Sequence, residues 1–167
     1  LKQAHEYFLD FNLPNLRRKL IEAIDCSGGN DIAMLIVRFY DEYVTEVRKH
    51  MEYENEVVFS YVEQLSQGFL NRDFTISDFA GKHTGISEKL KELKDIIIRY
   101  YPEKNNYLLG AVLLDILLCE QDLTSHCLIE DELFVPAVRL IEQNLKCSQP
   151  VLYTDDGDGE VVEKEKL

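Results

Sequence analysis

The chain has 167 residues, 46% of them hydrophobic, with 31 acidic against 18 basic side chains and a formal net charge of −13. That length suits one domain with its own buried core, and the acidic balance argues against direct contact with nucleic acid, whose phosphates need a concentrated Lys/Arg surface. No charged-apolar-small leader is present, and no apolar run approaches the roughly 20 residues of a membrane span, so the expectation is a cytoplasmic protein without a membrane contact.

In chain order, a first helix runs to about Ile24 and carries His5, Leu9, Leu13, Leu16, Leu20 and Ile24 at steps of three and four, the spacing of an inward-facing seam. Pro14 lacks a backbone donor and is expected to kink or restart this helix, with Asn12 as a cap. Cys26-Ser27-Gly28-Gly29-Asn30 reads as a turn. A long second helix follows from about Asp31 to Gln67, ended by Gly68, with the seam Ile36, Tyr40, Tyr43, Val47, His50, Glu54, Val57, Tyr61 and Leu65. After an irregular stretch to Ile76, Ser77 is the expected N-cap of a third helix that runs to about Tyr101. Its seam is Phe79, His83, Ile86, Leu90, Leu93 and Ile97.

Pro102-Glu103-Lys104-Asn105 closes the third helix, and a fourth spans about Asn106 to Lys146, with a kink expected at Pro136. Its seam is Leu109, Val112, Ile116, Cys119, Leu123, His126, Glu130, Leu133, Ala137 and Leu140. Residues 1–149 therefore read as one all-α domain, an up-down-up-down four-helix bundle. Residues 150–167, rich in Asp and Glu, have too little apolar content to fold alone and read as an acidic linker or tail. The opening at Leu1 and the stop after a charged run suggest a domain excised from a longer protein.

All four histidines thus occupy seam positions. A lone seam histidine is ordinarily a core residue satisfied by one hydrogen bond, but here two glutamates share the seams in the repeated spacing His50-x-x-x-Glu54 and His126-x-x-x-Glu130. Residues four apart stack on one helix face, and a buried carboxylate must find a proton or a cation. Helix rise tests whether they meet: at about 1.5 Å per residue, His5 and His50 lie some 30 and 28 Å from the first turn, and His83 and His126 some 27 and 31 Å from the last. The join between the second and third helices requires the segment 69–76 to climb several ångströms.

Four imidazoles and two carboxylates exceed what one tetrahedral zinc takes, and no thiolate set is present. Two ions sharing Glu54 and Glu130, each with two imidazoles and an open position, would satisfy them; mixed N/O ligation suits iron or manganese, with zinc able to compete. The four cysteines, Cys26, Cys119, Cys127 and Cys147, show no paired spacing and read as free thiols, with a role for Cys127 beside His126 as the minority reading.

With Leu13-Pro14, His50-x-x-x-Glu54 before Val57-Val58-Phe59, the lone His83, and His126-x-x-x-Glu130 before Leu133-Phe134-Val135-Pro136, residues 1 to 145 resemble the hemerythrin-like, or HHE cation-binding, domains, most closely the di-iron proteins of iron-sulfur cluster repair. The resemblance implies His5, His50, His83 and His126 as terminal ligands and Glu54 and Glu130 as bridges between two non-haem irons joined by an oxo or hydroxo group. Oxygen-carrying hemerythrins have a second histidine where this chain has Ser87, and an aspartate at the offset of Asp131, where helical phase favours Glu130.

Two function classes follow: a sensor or binder of oxygen, nitric oxide or redox state, or a stress-response enzyme that repairs iron-sulfur clusters or reduces nitric oxide or peroxide. Glu163-Lys164-Glu165-Lys166-Leu167 is similar to the lead-in of LuxR-type output domains, which favours sensing through a C-terminal output domain. A metal-free helical interaction module is the third class.

Overall fold

The computed structural model describes residues 1–24, 31–71, 73–80, 86–100 and 107–148. Among them the helices line up into four rods and no strand occurs. The first rod is α1 (Lys2–Glu6), a π-helical stretch Tyr7–Asn12 and α2 (Leu13–Ala23). The second is α3 (Asp31–Tyr53), a π turn Glu54–Val58 and α4 (Phe59–Ser66). A short α5 (Ile76–Phe79) precedes the third rod, α6 (Ile86–Tyr100). The fourth is α7 (Tyr107–Ile129), a π turn Glu130–Phe134 and α8 (Val135–Ser148). Helix α2 packs on α3 and α7, and α6 on α3 and α7, which closes the ring of the expected bundle.

On the second and fourth rods the seams hold up to the π turns and slip there, whereas the seam of the first rod runs through its π-helical stretch unshifted. His5, Leu9, Leu13, Leu16, Leu20 and Ile24 are all buried, as are Leu90, Leu93 and Ile97, and the seam from Leu109 to Glu130 on the fourth rod. Beyond Glu130 the expected Leu133, Ala137 and Leu140 face outward, and Val135, Val138 and Glu142 are buried in their stead. The cause is one inserted residue: Val135 N–H bonds to the Glu130 carbonyl, five residues back, and an extra residue rotates the remainder of the helix by about 100°. Phe59 N–H does the same to Glu54, so Val58 is buried where Val57 was expected.

Both mid-rod prolines sit just after such turns. Leu13 N–H bonds to the Phe8 carbonyl, and Pro14, with no N–H to give, leaves the Leu9 carbonyl to the Arg48 guanidinium at 3.5 Å. Asn12 makes no side-chain cap there, contrary to expectation. The helix expected from Ser77 is likewise corrected: Thr75 is the cap, in a reciprocal box with Asp78, and α5 ends at Ala80, whose ψ of 133° is not helical. The second rod stops as expected near Gly68, which takes φ 85° while Phe69 N–H reaches the Gln64 carbonyl at 3.0 Å. His83, the turns at 26–30 and 102–105, and the tail 150–167 lie outside the described residues.

Apolar burial falls into two clusters. The larger contains Leu13, Leu16, Leu20, Tyr40, Leu93 and Ile116 and draws on all four rods. The smaller joins Val58, Tyr61, Leu65, Ile76, Phe79, Val135 and Val138. Along the second and fourth rods the glutamates and histidines fall between the two.

Candidate metal centre

Three rods deliver polar side chains to this layer. His5, Glu54 and Glu130 are fully buried and His126 is 7% exposed, and each of the four offers a ligand atom within 4.8 Å of all the others. His5 Nε2 lies 3.0 Å from Glu54 Oε2 and 3.9 Å from Glu130 Oε1, and 3.1 Å from His126 Nε2. His126 Nε2 lies 3.3 Å from Glu130 Oε1. Glu54 turns its other oxygen the opposite way: Oε1 is 2.8 Å from Nε2 of His50, whose side chain is 14% exposed. The carboxylate thus faces one imidazole with each oxygen.

Aromatic rings hold the histidines. His5 stacks on Phe59 with centroids 5.6 Å apart, His50 stacks on Phe79 at 6.2 Å, and His126 meets the edge of Phe8 at 6.0 Å. His5 Nδ1 lies 3.0 Å from Asn55 Oδ1. That bond keeps the Nδ1 proton on the Asn55 side and turns Nε2 toward the carboxylates, the orienting role that an outer hydrogen bond plays for a ligand histidine. Burial by itself would lower the His5 pKa, but Glu130 and Glu54 outweigh it and raise the ring from 6.5 to about 9.

Of the residues expected from the seams, His5, His50, Glu54, His126 and Glu130 converge here, and His83 lies outside the described residues. Asp131 is exposed, whereas Glu130 is buried. Asn55 was not singled out from sequence, Phe59 was read only as part of the motif after Glu54, and Phe79 only as a seam residue. Asn55 is off the seam by one residue, and its only sequence signal is that it follows Glu54 directly.

A family model described as the hemerythrin HHE cation binding domain matches residues 1–138. The chain belongs to the hemerythrin family. No curated protein and no solved structure matches it.

The hemerythrin assignment and the donor set agree. Imidazole nitrogens and carboxylate oxygens, buried together with no lysine or arginine among them, form a cluster that could hold a metal ion. Cys127 does not join the four that converge; burial first, then Glu130 and Glu54, push its thiol up to about 12. An open surface groove of about 520 Å³ lies elsewhere, over α2 and α3, lined by Ile21, Met34, Arg38 and Asp41. Among the described residues no helix is long and apolar enough to cross a membrane.

Proposed function

We propose that this hemerythrin-family bundle holds two non-haem irons and works as a sensor or binder of oxygen, nitric oxide or cellular redox state. The observation that carries it is the divided Glu54 carboxylate, Oε2 at 3.0 Å from His5 Nε2 and Oε1 at 2.8 Å from His50 Nε2. An acid with one oxygen toward each of two imidazole groups suits a bridge between two cations better than a ligand to one.

On this reading His5, His50, His83 and His126 are terminal ligands and Glu54 and Glu130 bridge. Iron, when bound, supplies a redox-active centre with positions open to a small diatomic molecule. The chain's own groups do the rest. Asn55 orients His5, Phe59 and Phe79 fix the ring planes, and the two apolar clusters keep bulk water from the carboxylates. Residues 1–149 form the domain on this reading, and 150–167 an acidic linker or tail.

Protein produced with iron should carry two irons per chain by elemental analysis, and nitric oxide added to the reduced, oxygen-free protein should produce new visible absorption. His126→Ala, and separately His50→Ala, should lose metal while the helical circular dichroism persists. Retention of no transition metal, or of a single ion that survives His50→Ala, would overturn the dinuclear reading.

A further inference from the structure

The rings that brace the histidines are not equally anchored. His5 stacks on Phe59 and His126 meets the edge of Phe8, and both phenylalanines belong to long unbroken rods. His50 stacks on Phe79 with the ring planes 19° apart, and Phe79 is the last residue of α5, a helix of four residues. The His50 side chain is also the most open of the three, 14% exposed against 7% for His126 and none for His5.

A single turn of helix does not hold itself in water, because fixing its backbone costs more than its few hydrogen bonds contribute. What holds α5 comes mostly from its neighbours. The Thr75 N–H bonds to Asp78 Oδ2 at 2.8 Å across the capping box, Ile76 and Phe79 are fully buried, and the Ile76 N–H donates to Oε1 of Glu142 on α8 at 2.7 Å. The same oxygen accepts from the Tyr61 hydroxyl of α4 at 2.6 Å, so Glu142 fastens α5 to two rods at once. Glu142 itself lies about 18 Å beyond Glu130 by helix rise, too far to be a ligand.

Contacts nevertheless run without a gap from Glu142 to the polar layer. Glu142 holds Ile76, Phe79 follows three residues later on the same side of the turn, Phe79 lies on the His50 ring, and His50 Nε2 is 2.8 Å from Glu54 Oε1.

We propose that Glu142 is a positioning residue of the metal centre: it latches α5 over His50 and so governs exchange on the His50 side, while the side of His5 and His126 stays closed. This rests on the dinuclear reading and deepens it, since two cations sharing Glu54 would then be held unequally. When Glu142 releases the Ile76 N–H, α5 loses its tie to α8, Phe79 leaves the His50 ring, and the ring is free to turn from Glu54. His5 has no such release, because Asn55 and Phe59 hold it from one continuous rod. Opening one short segment takes far less free energy than unfolding the bundle, so one cation exchanges while the fold persists.

Release of ferrous iron from the anaerobic, fully loaded chain to an excess of a coloured chelator tests it. The wild type should release one equivalent fast and one slowly. Glu142→Ala, which removes a buried acceptor, should speed the fast phase by about 10-fold and leave the slow phase unchanged. Glu142→Gln, whose amide oxygen still accepts both bonds, should restore most of the wild-type rate, and amide exchange at Ile76 should rise in step with the fast phase. Leu20→Ala, which loosens the far cluster, should leave the fast phase as it was. Should Glu142→Ala fail to fold, Asp78→Ala decides: Asp78 is exposed, its loss opens the capping box without touching the core, and the fast phase alone should speed. Two irons released at a single rate, both phases speeding alike in Glu142→Ala, or a fast phase indifferent to the variant that folds would overturn the latch and leave the dinuclear reading standing. A wild type that never holds two irons would overturn both.

Discussion

The two ends of the bundle are built differently. Below the polar layer, Leu13, Leu16, Leu20, Ile36, Leu93 and Ile116 interlock from all four rods, and the embedded Tyr40 hydroxyl donates to the Leu13 carbonyl at 2.7 Å. Above it the cluster draws on α4, α5 and α8, and at its heart is a carboxyl group. Glu142 is 5% exposed, and its Oε1 accepts from the Tyr61 hydroxyl at 2.6 Å and from the Ile76 N–H at 2.7 Å. This carboxylate ties α8 to α4 and to the first residue of α5, where a helix N-terminus welcomes negative charge. One end is thus held by apolar interdigitation and the other by a polar clasp, and His50 leans on the clasped end through Phe79.

Removing a ring at the clasped end should separate the two most strongly. Phe79→Ala is expected to cost about 3 to 5 kcal/mol in urea unfolding and to weaken metal retention, because the His50 ring loses its stacking partner. Leu20→Ala, in the larger cluster, should cost about 2 to 5 kcal/mol and leave the metal content of the folded protein unchanged. Equal metal loss in both variants would show that retention follows global stability and not the layer around His50.

The clasp itself comes next in size. Glu142→Ala leaves the buried Tyr61 hydroxyl and Ile76 N–H without their acceptor, at about 1 to 3 kcal/mol, and hydrogen exchange should quicken at Ile76 and through α5 while Leu93 and Ile97 keep their protection. Uniform quickening along all rods would mean that the two ends open as one unit.

Asn55→Ala should be smaller again in stability and selective in effect. Losing the hydrogen bond to His5 Nδ1 is expected to weaken metal affinity by about 10- to 100-fold, with little change in the urea midpoint of the metal-free protein, as Asn55 is only partly buried. A change in midpoint with unchanged affinity would make Asn55 a packing residue.

How much of this was legible in the sequence depends on where the helix stayed regular. The convergence of His5, Glu54, His126 and Glu130 was legible because from Leu109 to Glu130, and from Ile36 to Glu54, the backbone keeps its ordinary period, so steps of three and four map directly onto one face. Past Glu130 the map failed, and past Glu54 it missed at Val57 alone, since Tyr61 and Leu65 are buried as expected. A π turn has no residue signature in the seam itself, so Leu133, Ala137 and Leu140 looked inward when the extra residue had passed that role to Val135 and Val138. Pro14 and Pro136 were the visible trace of that irregularity, read as kinks and not as the residues that come after a widened turn. Glu142 was missed for the same reason, since the expected seam ran through Leu140.

The thiols offer the finest probe of the contrast. Cys119 sits in the larger cluster at 1% exposure, and burial first, then Asp122, pushes its thiol up to about 12. Only the thiolate attacks a disulfide reagent, and a raised pKa keeps the protonated form dominant at any pH below that value. The folded-state thiolate is therefore a minute fraction between about pH 7 and 9, and modification is expected to run through opening, where a thiol near its ordinary pKa of about 8.5 supplies the reactive form. Cys147, exposed on α8, should react within the mixing time of a slow assay, and Cys119 only at the rate at which the large end opens. If Cys119 reacts as fast as Cys147 without denaturant, the interlocked end is no tighter than the clasped one; if Glu142→Ala leaves the Cys119 rate unchanged, the ends open independently and the metal layer between them is a boundary between two cooperative units.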